Sequence, residues 1–250
     1  MQFKPEAALG RPEASAKLAK QSNVVNQTHY MKKNFVLFFL FIFPIVAYLF
    51  FASGVNGFVK LPVITKTIPE FKKWKTADQQ PIQLSDKITI LGFTGTDVAG
   101  KKGNFFNLNQ KIYEKYSEFK DFQIVFIAPI GTEEATKSFT SKIDKISDLS
   151  RWHYVFANPN EITAFYQSLQ LKQKLDSNLG TSNVFIIDKA RNLRGRKGKV
   201  KKGDAEYREG YNTTLVSELH NEMTDDVKII LAEYRLALKQ NNAYKRIEAK

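Results

Sequence analysis

The 250-residue sequence contains no cysteine and only three histidines, His29, His153 and His220. Without cysteine the chain has no disulfide, no thiolate nucleophile, and none of the thiol ligands of structural zinc sites or iron–sulfur clusters. The histidines lie far apart in the sequence, which also argues against a histidine-rich metal cage. Dithiol redox chemistry is therefore excluded, and we expect no metal and no other cofactor.

Acidic residues are in the minority. The chain has 38 basic and 25 acidic side chains, so its net charge is +13. Its content of hydrophobic residues, 43%, and aromatic residues, 13%, argues against wholesale disorder. The length suits one globular domain with appendages.

Charged side chains are missing from one long stretch, residues 34–58. Its apolar run from Phe35 to Ala52 is interrupted only by Pro44 and Tyr48, and it approaches the roughly 20 residues that a helix needs to cross a bilayer. We predict one transmembrane helix at residues 34–54. A cleaved signal peptide is the alternative, with cleavage near Gly54 giving a secreted form, although the run exceeds the usual signal core of about 7–15 residues.

The flanks of the apolar run predict the orientation and the domain limits. Lysines 32 and 33 end a basic segment, so the positive-inside rule predicts that residues 1–33 lie in the cytoplasm. We also predict that these residues form a disordered tail. Residues 55–67 then form a linker, residues 68–240 the globular domain, and residues 241–250 a polar tail. This domain lies outside the cytoplasm, where nucleic acid is not an expected partner.

Strand-like and helix-like segments alternate within the domain. Apolar β-branched runs predict buried strands at 87–93, 123–130 and 183–188, and helical spacing predicts helices at 104–119, 132–145 and 215–238. Asn158, Pro159 and Glu161 have the pattern of a helix start, and residues 71–86 that of a hairpin. The alternation indicates an α/β layered domain.

Several of these segments occur in a familiar order: ITILGFTGT, KIYEKY, QIVFIAPIGTEE and NVFIIDKARNLRG. In this order the chain resembles thioredoxin-like proteins, and more narrowly the SCO/SenC family, whose members are membrane-anchored and carry copper during cytochrome oxidase assembly. The resemblance implies a central mixed sheet with flanking helices. It also favours a bacterial inner-membrane protein with a periplasmic domain, although the mitochondrial intermembrane space fits the topology too.

The site that the resemblance implies has lost its ligands. The family holds copper with a CxxxC pair and a histidine, a soft ligand set suited to Cu(I). Those positions fall near Thr96, Gly100 and Gly180 in this chain, and none of these side chains binds copper. The resemblance therefore carries over the fold without copper binding or thiol redox activity, and we expect a protein that is not an enzyme.

The loop at the lost site has a pattern of its own. Gly95, Gly100, Lys101 and Lys102 match part of a phosphate-binding P-loop between a strand and a helix. They are candidate ligands of an anion. A domain that binds a phosphate ligand through this loop is therefore the alternative to a non-catalytic binding or assembly protein. Lys102 stands where a P-loop has the hydroxyl that binds Mg²⁺, which argues against nucleotide hydrolysis. A glycine-rich loop that binds nothing is also consistent with the sequence.

A second basic feature spans residues 191–202, RNLRGRKGKVKK. Such clusters attract anionic surfaces, so its cations are candidates for contact with anionic lipid or an acidic protein. A solvated turn between short strands is the other interpretation. The candidate residues are Arg191, Arg194, Arg196, Lys197, Lys199, Lys201 and Lys202. Taken together, the sequence predicts a single-pass membrane protein that binds a membrane-protein partner as an assembly factor.

Overall fold

The computed structural model divides into two units, Met1–Gly57 and Phe58–Lys250. In the first unit, residues 35–50 form a helix, α1, with its large apolar side chains exposed. Among the residues that the structure describes, no helix is both long and apolar enough to cross a membrane. The predicted tail up to residue 32 and residues 34 and 51–54 of the predicted span lie outside that part. The described residues are 33, 35–50, 60–71, 73–197 and 207–248.

The second unit is built from nine short strands and six helical segments within its described part. The strands are β1 Val63–Thr65, β2 Ile88–Phe93, β3 Phe122–Pro129, β4 Trp152–Ala157, β5 Asn183–Ile187, β6 Leu193–Arg194, β7 Arg196–Lys197, β8 Tyr207–Arg208 and β9 Tyr211–Asn212. The helices are α2 Lys102–Leu108, α3 Glu114–Tyr116, α4 Glu133–Ile143, α5 Pro159–Ser168, α6 Val216–Glu218 and α7 Thr224–Glu248. Two π-helical turns, Asn109–Tyr113 and Leu219–Met223, join α2 to α3 and α6 to α7.

The main sheet has the strand order β1-β6-β5-β2-β3-β4, with β9 paired to β5. Strands β2, β3 and β4 are parallel, whereas β5 is antiparallel to β2, and β6 is antiparallel to β5. A parallel β–α–β unit is thus followed by an antiparallel pair of strands and a final helix. This is the thioredoxin-like arrangement, so the prediction of a thioredoxin-like domain with a mixed sheet is confirmed.

Side chains of the central strands alternate between two hydrophobic clusters, one on each face of the sheet. In β2, Ile88 and Ile90 belong to one cluster, and Leu91 and Phe93 to the other. The first cluster is covered by α2, α4 and α7, and the second by α5 and the segment 68–84. Because both faces are covered, these strands read as continuous apolar runs, which is why the sequence predicts them well.

Local signals set several boundaries. Helix α5 begins with Pro159 after Asn158, whose backbone N–H donates to Glu161 Oε2 at 3.1 Å. This capping box satisfies a free amide at the helix start, as the sequence predicts. The predicted hairpin in residues 71–86 is reduced to one antiparallel bridge between Lys75 and Pro81. Lys75 also bridges to Phe156 at the edge of the main sheet, so tertiary pairing replaces most of the hairpin ladder.

Candidate functional site

The site lies where the chain leaves β2. Thr94 forms an isolated antiparallel bridge with Gly180, and the amide of Thr96 donates to the carbonyl of Asn178 at 2.9 Å. Gly95 has φ +67°, and a Cβ atom there would lie 2.5 Å from the Asn178 carbonyl oxygen, so only glycine fits. The loop after β2 and the loop before β5 are therefore held together by backbone contacts.

Lys101 joins the same two loops through its side chain. Its Nζ lies 3.6 Å from Asp176 Oδ2, and the lysine side chain is only 14% exposed. A Cβ atom added to Gly180 would lie 2.0 Å from this Nζ, so the ammonium group occupies the space directly over Gly180. Burial lowers the pKa of Lys101, while the neighbouring Asp176 offsets part of that effect by favouring the charged form.

The three positions that the resemblance assigns to copper ligands are brought to this site. Thr96 and Gly180 flank the paired loops, and Gly100 directly precedes Lys101. An ammonium group donates hydrogen bonds and has no lone pair for a metal, and the site offers neither sulfur nor imidazole. These residues do not fit copper. Within the described part of the chain, no group of three histidine, aspartate or glutamate side chains could hold a metal ion.

Some amides of the predicted anion-binding loop are engaged in hydrogen bonds within the domain. The amide of Gly100 donates to Asp97 Oδ1 at 2.9 Å, and the amide of Lys101 donates to Val98 at 3.3 Å. The Thr96 amide is also bound, so three backbone donors of this loop already have partners. Lys102 remains exposed at the start of α2, and anion binding by this loop stays a prediction.

The second predicted site, the basic stretch 191–202, contains an arginine that is unavailable to any partner. Arg194 is 4% exposed. Its guanidinium donates to Asp188 Oδ2 at 2.8 Å, to Glu233 Oε2 at 2.9 Å, and to the carbonyl of Leu61 at 2.8 and 3.0 Å. The hydrogen bonds to the two carboxylates outweigh desolvation and raise the pKa of Arg194. Its inclusion among the partner-binding residues is corrected: Arg194 is a structural cation that binds three segments of the domain together.

Arg196 is also engaged, at the base of the small β7–β8 sheet. It lies 3.4 Å from Glu222 and 3.6 Å from Asp226, and Asp226 accepts a hydrogen bond of 2.5 Å from the Tyr211 hydroxyl. Arg191 is half-buried. Lys197 belongs to β7, and the three remaining candidates, Lys199, Lys201 and Lys202, lie outside the described residues. The predicted contact with anionic lipid or an acidic protein therefore stays a prediction for Arg191, Arg196 and the lysines.

Sequence reasoning missed the acidic partners of these cations. Asp176 lies in the segment DSNLG, where its carboxylate accepts from the amides of Asn178 and Gly180 at 2.9 and 2.8 Å. An aspartate two residues before an asparagine and four before a glycine is a turn signal that could have located this carboxylate. No comparable signal marks Glu233, which lies on α7 and meets Arg194 only in the folded domain.

No protein-family model and no curated protein matches the sequence. The similarities found are to solved structures. BsSco, a member of the Sco family of cytochrome c oxidase assembly proteins, is 12% identical with a TM-score of 0.44, covering 67% of this chain and 92% of its own. ScoI from Arabidopsis thaliana, solved with copper bound, is 19% identical with a TM-score of 0.40, covering 65% and 98%. A thioredoxin-family thiol:disulfide interchange protein from Chlorobium tepidum TLS is 17% identical with a TM-score of 0.40, covering 68% and 99%. Sco and thioredoxin-family proteins are thus among the structural neighbours of this chain, whose fold is assigned from its own strand order.

Proposed function

We propose that this protein is a membrane-anchored, thioredoxin-like binding protein that acts as an assembly factor for a respiratory or other membrane complex. In this proposal it catalyses no reaction, carries no copper, and exchanges no thiols. The observation that carries the proposal is the Lys101–Asp176 ion pair, which fills the space over Gly180 where the SCO resemblance implies a metal ligand.

The absence of thiol chemistry follows from composition, and the ion pair supports the absence of copper. With no cysteine in the chain, neither a mixed disulfide nor a Cu(I)–thiolate bond can form. The Lys101 ammonium group fills the space over Gly180 and has no lone pair to offer a metal. What remains for such a domain is recognition through its surface.

The membrane anchor is supported by the apolar run and by its helical part. Residues 35–50 are helical and expose Phe35, Phe39 and Phe43 at four-residue spacing, with neighbouring rings 5.6 and 5.9 Å apart. A water-exposed helix with apolar side chains on all sides is unfavourable, whereas a bilayer stabilises it. Lysines 32 and 33 favour a cytoplasmic N-terminus and an extracytoplasmic domain in the bacterial inner membrane.

Crosslinking in intact membranes tests the assembly role. The full chain, carrying an affinity tag, would be crosslinked in living cells and purified from carbonate-washed membranes. Subunits of an oxidase or another membrane complex are the expected co-purifying proteins. Recovery of the chain in the soluble fraction, or from membranes without any membrane-protein partner, would contradict the proposal.

Copper binding is tested separately. We expect the full chain in detergent to leave Cu(I) with a chromogenic chelator in a competition titration. Tight binding of one copper ion per chain would refute the metal-free assignment, whatever the crosslinking result.

The role of the ion pair is tested by Asp176→Asn, with Lys102→Met as the control. The asparagine leaves the buried Lys101 ammonium group without its counter-charge, so we expect a loss of about 1–2 kcal/mol in the free energy of unfolding. Lys102 is exposed, so its replacement should change stability by less than about 0.5 kcal/mol. Equal effects of the two substitutions in urea denaturation would show that Lys101 and Asp176 are not coupled.

A further inference from the structure

Strand β4 is an outer strand of the main sheet, and its free edge lies in a groove. The groove has a volume of about 1150 Å³. Its walls are the turn 76–80 on one side and Thr136, Lys137 and Thr140 of α4 on the other, and Trp152, Tyr154 and Phe156 line it from β4. This volume exceeds the roughly 300–1,000 Å³ of most small-molecule pockets.

Alternate residues of β4 direct their backbone groups away from the sheet. The carbonyls of Arg151 and Ala157 accept hydrogen bonds from the β3 side, so residues 152, 154 and 156 present their amides and carbonyls to the outer edge. Phe156 already uses this edge, because its N–H donates to the carbonyl of Lys75 at 3.2 Å. The amide of Trp152 is also engaged, because it donates to the carbonyl of Leu149 at 2.9 Å. Tyr154 is therefore the residue of β4 whose amide remains as an outward-facing donor.

The chain turns away immediately after Lys75. The amide of Thr76 donates to the carbonyl of Gln80 at 3.1 Å, which closes the turn 76–80 and carries the backbone off the sheet. One residue of the chain therefore begins a strand pairing that no described segment continues toward Tyr154 and Trp152. An edge of this kind is a template for a further strand.

Two nearly buried side chains with polar atoms, Trp152 and Tyr154, line the groove next to each other. Within the described residues, the Trp152 indole N–H and the Tyr154 hydroxyl make no hydrogen bond of good geometry, but Trp152 and Thr140 are hydrogen-bonding neighbours of this hydroxyl. The two residues are 5% and 8% exposed. These two side chains therefore form part of the groove's floor, and the backbone groups on the outer edge of β4 are what the groove offers to a ligand.

The charges around the groove distinguish between classes of ligand. Three lysines face three carboxylates, so a ligand of one sign, such as nucleic acid or an anionic membrane surface, meets no net attraction. A polypeptide backbone is neutral and offers both donors and acceptors, which matches the edge. Burial and the nearby Arg151 and Lys87 lower the pKa of His153, so this imidazole adds no charge near neutral pH. The charged residues of the groove are Lys73, Lys75, Lys137, Asp78, Glu133 and Glu134.

We propose that this groove binds an extended segment of a partner polypeptide, which adds a strand to the free edge of β4 beside Tyr154. Main-chain hydrogen bonds to β4 supply affinity, and the side chains lining the groove supply selectivity. The inference rests on the proposed binding function, for which it names the surface and the chemical class of the partner. It is independent of whether the partner belongs to an oxidase.

The test uses the full chain in detergent micelles and a phage-displayed library of random dodecapeptides as the probe. Peptides selected on the wild-type chain would be measured against Phe156→Lys, which places a charge in the groove, and Ala77→Trp, which narrows it from the opposite wall. The matched control is Val63→Lys, because Val63 lies in β1 at the other edge of the sheet and is 42% exposed. We expect each groove variant to bind on the order of tenfold more weakly and the control to bind like wild type.

Amide hydrogen exchange locates the bound peptide without any substitution. A selected peptide should slow exchange of the Tyr154 amide and leave the Val63 amide unchanged. The groove is refuted if no peptide is enriched, if the selected peptides protect only amides elsewhere, or if they bind the groove variants as well as wild type. Each of these results leaves the crosslinking experiment on membranes unaffected, so failure of the groove and failure of the assembly role can be told apart.

Discussion

The substitution Arg194→Met tests whether the most conspicuous arginine of the basic stretch is structural. In the native domain this guanidinium is 4% exposed and satisfies the Asp188 carboxylate and the Leu61 carbonyl. Methionine has a similar length but no donor, so the carboxylate, itself 1% exposed, becomes a buried charge without its cation. Breaking a buried ion pair in this way costs about 3–5 kcal/mol.

The surroundings of Asp188 place the expected cost at the lower end of this range. Its Oδ1 still accepts from the amides of Ala190 and Asn192 at 2.9 and 2.8 Å. Glu233, the other carboxylate partner, is 20% exposed and lies 3.7 Å from Lys60, so it keeps water and a second cation. We therefore expect a loss of about 3 kcal/mol, which for a domain of this size lowers the melting temperature by about 6–12 °C.

The assay is urea and thermal unfolding of the full chain in detergent, followed by circular dichroism. The control is Lys228→Met, which removes an exposed pair with Asp225 at 3.2 Å and should cost less than about 0.5 kcal/mol. The double variant Arg194→Met with Asp188→Asn should recover part of the loss, because the asparagine carries no charge and still accepts from the same amides. A cost for Arg194→Met no larger than that of the control would refute the reasoning.

Two further predictions concern the buried carboxylate of Asp226 and the glycine Gly92 in strand β2. Desolvation raises the pKa of Asp226 above its ordinary value of 3.8, so the stability it contributes is present at low pH and is lost as the pH rises through its raised native pKa. In Asp226→Asn the Tyr211 hydroxyl keeps an acceptor, but the side chain no longer titrates. Between pH 3 and pH 7, the free energy of unfolding of this variant, measured in urea titrations, should therefore increase relative to that of the wild type. A relative increase for the wild type would contradict this. In Gly92→Ala the new Cβ atom would lie 2.2 Å from the ring of Phe126, so we expect a loss of about 1–3 kcal/mol. The control is Gly103→Ala in helix α2, where the new Cβ atom would meet no neighbouring atom within 4 Å, so this substitution should be neutral or stabilising. Equal melting temperatures of the two variants would exclude the clash at Gly92.

Much of the fold was predictable because its determinants are local. The runs that became β2, β3 and β5 are apolar on both faces, and Asn158 and Glu161 signal the start of α5 within four residues. The predicted boundaries agree with the observed ones to within a few residues for this reason. The hairpin in residues 71–86 was wrong in extent, because Lys75 pairs with Phe156 of a distant strand, and such pairing leaves no mark on local periodicity.

The candidate site was predictable in position and not in chemistry. The family resemblance implies that Thr96, Gly100 and Gly180 lie together, and in the folded domain the loops that carry them meet at the bridge between Thr94 and Gly180. The partner of Lys101 is Asp176, which lies in a loop separated from Lys101 in the chain by two strands and four helices. The sequence shows only that the loop carries a positive charge and does not show which carboxylate neutralises it.

Composition alone decides what chemistry this chain lacks, because a thiolate cannot be supplied by any arrangement of residues that contains no sulfhydryl. The alternation of short apolar runs alone indicates the layered α/β class, since period and burial follow from neighbours a few positions away. Only tertiary structure decides which cations are free. In the sequence, a solvated arginine cannot be told from Arg194, which lies between Asp188 and Glu233. The difference arises because desolvation and counter-charge depend on which distant segments the fold brings into contact.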